Sequence, residues 1–115
     1  MNGYIQIDLN GKSVGLKYTT YTFEILGKRL IDKGVDPNSL SGLLETIYAG
    51  YLGNCFVKDV RPEISYEEFA DWMEDVAMDE SKHGVIKEIS NVIEQSKAYK
   101  ATLPVKESED EKKTK

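Results

Sequence analysis

Residues 4–9, Tyr-Ile-Gln-Ile-Asp-Leu, set Ile5, Ile7 and Leu9 at every second position, and residues 14–18 repeat the pattern with Val14, Leu16 and Tyr18. Alternation at period two marks a strand with one buried face. Between the two runs stands Asn10-Gly11, a pair that accepts the positive φ angles of a type I′ hairpin turn. With Asn10 and Gly11 as the central turn residues, Leu9 pairs with Lys12, Ile7 with Val14 and Ile5 with Leu16. Both apolar rows then fall on one face, so turn chemistry and alternation dictate the same register. A lone hairpin is marginal in water, so its apolar face has to pack on something else in the chain.

That something is helical. Past Thr19 or Thr20, either a fair N-cap, Phe23, Leu26, Leu30 and Ile31 recur at helical spacing, and Gly34 suits a C-terminal stop. Asp36-Pro37 predicts the start of a second helix, Asp as cap and Pro in the first turn. Its stripe runs through Leu40, Leu43, Leu44, Ile47, Tyr48, Tyr51, Leu52, Cys55 and Phe56, wide enough for a central helix. Ala49, Gly50 and Gly53 lie beside it and allow another backbone to come close, although the glycines weaken the helix. Arg61-Pro62 interrupts the pattern. Ser65-Tyr66-Glu67-Glu68 is a capping box opening a third helix with Phe69, Trp72, Met73 and Val76 inward. A fourth spans about Lys82 to Lys100, with Val85, Ile86, Ile89, Val92 and Ile93 facing in. The expectation is an α+β fold: an N-terminal β-hairpin followed by about four helices, mostly helical, with residues 1–100 as one domain. Residues 101–115, charged and nearly free of apolar groups, read as a disordered C-terminal tail.

Composition narrows the function. Of 115 residues, 15 are Lys or Arg and 20 Asp or Glu, for a net charge of −5. Such a chain lacks the cationic field that nucleic-acid binding requires. No run approaches the roughly 20 apolar residues that span a bilayer. One cysteine permits no internal disulfide, and the first residues lack the features of a signal peptide. These readings together predict a cytoplasmic protein with neither a membrane nor a nucleic-acid partner. The charge is uneven: residues 59–80 hold nine acids against Arg61 alone, a local −8. That segment reads first as a solvated helix face, and second as a docking surface for a basic partner.

Candidate reactive groups are few. His83, the single histidine, falls at a helix start and reads as a terminal residue rather than a catalytic base. Cys55 lies in an apolar stripe, where cysteine acts as a small hydrophobe. Asp32, Asp36 and Asn38 only faintly resemble a calcium loop and lack its Gly and terminal Glu. Glu80 and His83 form one i, i+3 pair where a di-iron bundle needs two. The Gly-Lys pairs at 11–12 and 27–28 lack phosphate-loop spacing. Asn38-Ser39-Leu40 invites comparison with the Asp-Ser-Leu of acyl carrier proteins, yet Asn replaces Asp and a hairpin precedes it. No enzyme, metal or cofactor is expected.

The aromatic residues are the unusual feature: seven Tyr, three Phe and one Trp. Tyr18, Tyr21 and Phe23 cluster at the first strand-to-helix junction. Tyr48, Tyr51, Phe56, Tyr66, Phe69 and Trp72 span helices two and three. Large rings in a small core are the plainer reading, and an interface that is sometimes wet is the sharper one.

Taken in order, Ile-Asp-Leu-Asn-Gly-Lys at 7–12, Gly-Leu-Lys-Tyr at 15–18, Leu-Leu-Glu-Thr-Ile-Tyr-Ala-Gly-Tyr at 43–51 and Ser-Tyr-Glu-Glu-Phe-Ala-Asp-Trp-Met-Glu at 65–74 resemble the tail assembly chaperones of long-tailed bacteriophages. The resemblance covers about residues 4–95. It implies a non-enzymatic holder that keeps the helices of the tape measure protein soluble while tail tube protein subunits assemble around it. The family is often made in two lengths by ribosomal frameshifting, and the charged end of this chain would match the short form. On this reading Tyr48, Tyr51, Phe56, Phe69, Trp72 and Met73 line a groove for partner helices, and Glu67, Asp71, Glu74 and Asp75 rim it. The open edges of the hairpin offer a second contact, strand to strand between copies of the chain. The alternative is a small acidic interaction or regulatory module, anti-repressor-like.

Overall fold

The turn angles decide the first element. In the computed structural model, which describes residues 3–96 and Tyr99, Asn10 and Gly11 take φ of 54° and 91°, as a type I′ turn requires. The Asp8 carboxylate accepts the Gly11 N–H at 3.0 Å. Strands β1 (Tyr4–Leu9) and β2 (Lys12–Lys17) pair antiparallel with Leu9 opposite Lys12, Ile7 opposite Val14 and Ile5 opposite Leu16. Ile7, Leu9, Val14 and Leu16 are buried together, so the expected register and face both hold.

Helix α1 (Thr20–Lys33) starts on a capping box between Thr19 and Thr22 and stops at Gly34 in the left-handed region. It lies on the outside of the molecule: Thr22 is its one fully buried residue, and Ile31 faces solvent instead of closing the expected stripe. Helix α2 (Leu40–Lys58) begins later than Asp36-Pro37 suggests. Asp36 caps a preceding turn, its carboxylate taking the Asn38 N–H and its carbonyl the Ser39 hydroxyl. Ser39 then serves as the N-cap, accepting from Gly42 N at 3.0 Å. A side chain at Gly42 would strike the carbonyls of Asp36 and Pro37, so the turn is folded directly onto the helix.

Helix α2 is the centre of the molecule, buried on most of its circumference from Gly42 to Cys55. Its glycines admit neighbours as expected. A Cβ at Gly50 would enter the Tyr18 ring, and one at Gly53 would meet Thr22 Oγ1 and the Lys17 carbonyl. Helix α3 (Tyr66–Met78) opens on the Ser65–Glu68 capping box and buries Phe69, Trp72, Met73 and Val76. A short 3₁₀ turn (Glu80–Lys82) leads into α4 (His83–Gln95), which buries Ile89 and Val92. The extension of this helix to Lys100 and the tail at 101–115 lie outside the described residues. Among the described residues no helix is long and apolar enough to cross a membrane.

Both hairpin edges are already partly engaged. In a two-residue hairpin Leu9 and Lys12 exchange hydrogen bonds, so Asp8, Ser13, Gly15 and Lys17 turn their backbone groups outward. The Asp8 carbonyl accepts from Trp72 Nε1 at 3.1 Å, and the Lys17 carbonyl from Thr22 Oγ1 at 2.6 Å. Strand pairing between copies along either full edge would have to displace one of these bonds.

Candidate functional site

The six residues expected to line a groove do not share an open surface. Tyr48, Tyr51, Phe69, Trp72 and Met73 are buried, and Phe56 alone is exposed, at 59%. Tyr48 and Tyr51 are five- to six-ångström ring neighbours of Phe69, in the tilted and edge-on arrangements that aromatic pairs prefer. Their hydroxyls clamp the loop before α3. Tyr51 Oη accepts from the N–H groups of Glu63 and Ile64 at 2.7 and 2.9 Å, and Tyr48 Oη donates to the Ile64 carbonyl at 3.2 Å. Burial raises both phenols above their usual range, so both stay protonated donors at neutral pH. The aromatic cluster is core, and the groove through these rings is corrected accordingly.

Three surface features remain. First, a mainly apolar groove of about 470 Å³ lies where the start of α2 meets α3 and α4, lined by Leu40, Leu43, Met73, Val76, Ala77 and Ile86 together with His83 and Lys87. Leu40 is 62% exposed. Met73, though buried, is the one residue of the expected set that lines it. Second, Phe56 stacks on Tyr21 with ring centroids 3.8 Å apart, beside exposed Val57 and Val60. Third, α3 presents Glu67, Asp71, Glu74 and Asp75 to solvent, none in an ion pair among the described residues.

One cluster was not foreseen. Glu45 is fully buried on α2 and takes hydrogen bonds from Arg29 Nε and, at 2.8 Å, from Lys33 Nζ of α1. Burial pushes its carboxyl upward, but the hydrogen bonds and charges of Lys33 and Arg29 outweigh that and hold it below the usual range. Arg29 also lies over the Tyr48 ring at 4.9 Å, and Lys33 over Tyr66 at 4.0 Å. The signal was present: a glutamate between Leu44 and Ile47 inside an apolar stripe, with two cations four residues apart on the preceding helix. The cluster ties α1 to α2.

The other candidates have structural positions. Ser39 has its hydroxyl committed to the Asp36 carbonyl and the Gly42 N–H. Cys55 is buried in the core. His83 is exposed at the start of α4, with Nε2 3.3 Å from the Ala77 carbonyl. Asp79 caps the 3₁₀ turn, and hydrogen bonds from the Ser81 side chain and backbone lower its carboxyl. Among the described residues no three His, Cys, Asp or Glu side chains converge as a metal site would need. In comparisons with known proteins, no family model matches the chain, and no curated protein or solved structure does either.

Proposed function

We propose that this chain is a non-enzymatic holder of helices, acting as a phage tail assembly chaperone that keeps the tape measure protein soluble while the tail tube protein assembles. The observation that carries the reading is the apolar groove between the first turn of α2, α3 and α4. An amphipathic helix docks by laying an apolar face into such a groove. Leu40, on its lining, leaves large apolar surface in water. The carboxylates of α3 suit lysines on the client's polar face, and the net charge of −5 favours solubility. The order of sequence motifs, from the Asn-Gly hairpin to the Trp-bearing acidic helix, supplies the identity of the client.

The test is co-expression with the product of the neighbouring downstream gene. A long helical product drawn into the soluble fraction is expected. The Leu40→Glu variant, altered at an exposed position, should keep its Tm and lose most of that effect. A client that stays insoluble with the wild-type chain, or that Leu40→Glu rescues equally well, refutes the reading.

A second reading, an acidic regulatory module for a basic protein, draws on Glu67, Asp71, Glu74 and Asp75 of α3, which have no ion pair among the described residues. It predicts binding that falls steeply between low and physiological salt, whereas burial of apolar helix faces survives that change.

A further inference from the structure

A cleft of about 570 Å³ opens at the C-terminal end of α2, between the turn end of β2 and the loop leading to α3. Its size lies within the range of ligand-holding cavities. Asn54 on α2 lines it, is only 8% exposed, and its side-chain amide has no hydrogen-bond partner among the described residues. A buried amide left unpaired costs free energy, so such groups are normally satisfied. Gly15 on β2 lets that amide and the Tyr4 hydroxyl come up against the strand: a Cβ there would lie 2.7 Å from Asn54 Nδ2 and from Tyr4 Oη. Ser13 and Gly15 also line the cleft, and the hairpin register turns their backbone N–H groups away from β1.

Charge specifies what these donors would hold. Lys58 and Arg61 line the cleft and take part in no ion pair among the described residues, against Glu63 as the one acid in the lining. Lys12 at the border is paired with Glu68 at 3.4 Å. The carbonyl end of α2 disfavours an anion here; Asp59 N and Val60 N already cap its last carbonyls, and the two free cations offset the remainder. Amide donors beside cations form the environment of a carboxylate.

We propose that this cleft receives a glutamate or aspartate side chain presented by an extended segment of a partner polypeptide. The site is separate from the helix-holding groove, so it stands or falls independently of that function.

The full chain, labelled with ¹⁵N, is titrated at low salt with a capped Glu-Val-Glu-Val-Glu peptide, with its Gln-for-Glu counterpart, and with acetate at equal carboxylate concentration. The Glu peptide should shift the Asn54 side-chain amide and the Ser13 and Gly15 backbone amides, with the Gln peptide at least ten-fold weaker. The Lys58→Gln/Arg61→Gln variant, changed only at exposed positions, should keep its helical circular dichroism and bind the Glu peptide at least ten-fold more weakly. Equal binding of the Gln peptide, unchanged affinity in the double variant, or no shift at Asn54 with any probe would overturn the proposal. Acetate producing the same shifts at the same concentration would also overturn it, by making the site one for free small carboxylates.

Discussion

Glu45 shows how a single buried charge can be a net asset. Its carboxylate is sealed beneath α1, yet Arg29 and Lys33 reach it from the helix surface and both remain partly in water. That exposure softens the desolvation cost that makes fully buried ion pairs poor stabilisers. Removing the charge by Glu45→Gln should cost about 1–3 kcal/mol at neutral pH, read from urea unfolding. The pH dependence follows from the lowered carboxyl. A group held below its unfolded value of about 4.3 contributes fully above that value and loses its contribution as pH falls through the folded one. The gap between wild type and Glu45→Gln should therefore be complete at pH 7, begin to narrow as pH falls towards about 4.3, and be lost once pH has passed below the lowered folded value. A gap that widened on acidification would contradict the assignment.

At the scale of elements, the contact between α2 and the hairpin depends on atoms that are not there. Gly53 lets the Lys17 carbonyl and Thr22 Oγ1 sit against the helix axis, closer than any side chain permits. Gly53→Ala gains helix propensity but overpacks this junction, and a net loss of about 1–3 kcal/mol is expected in thermal or urea unfolding. A stabilised variant would mean that the two elements can slide apart freely. The same contrast explains what was legible in the sequence. Hairpin register, the Ser65–Glu68 box and the inner face of α3 rest on short-range rules, and all three stand. The start of α2 was misjudged because Asp36-Pro37 satisfies a turn as well as a helix. The aromatic groove was misjudged because Tyr48 and Tyr51 spend their hydroxyls on a loop more than ten residues away, which periodicity cannot register. Asn54 hid in the apolar stripe for the same reason: only the neighbouring strand shows that its amide lacks a partner.

Across the whole molecule, one apolar cluster joins the hairpin to α2, α3 and α4, and Trp72, the sole tryptophan, spans it by donating to the Asp8 carbonyl. Unfolding should accordingly be a single cooperative event. Trp72 fluorescence, which senses hairpin docking, and far-ultraviolet circular dichroism, which senses the helices, should give one urea midpoint. Separate midpoints would mean that the hairpin docks as an independent unit. The arrangement also sets an order of events during synthesis. The strands are made before the helices; α4, which packs against β1, comes last of the elements, and even α2, which packs against β2, is completed only at Lys58. At typical elongation rates of 5–20 residues per second, that delay is about 2–8 s. Through that interval the hairpin has no partner for its apolar face, and it becomes durable structure only when younger chain arrives to close over it.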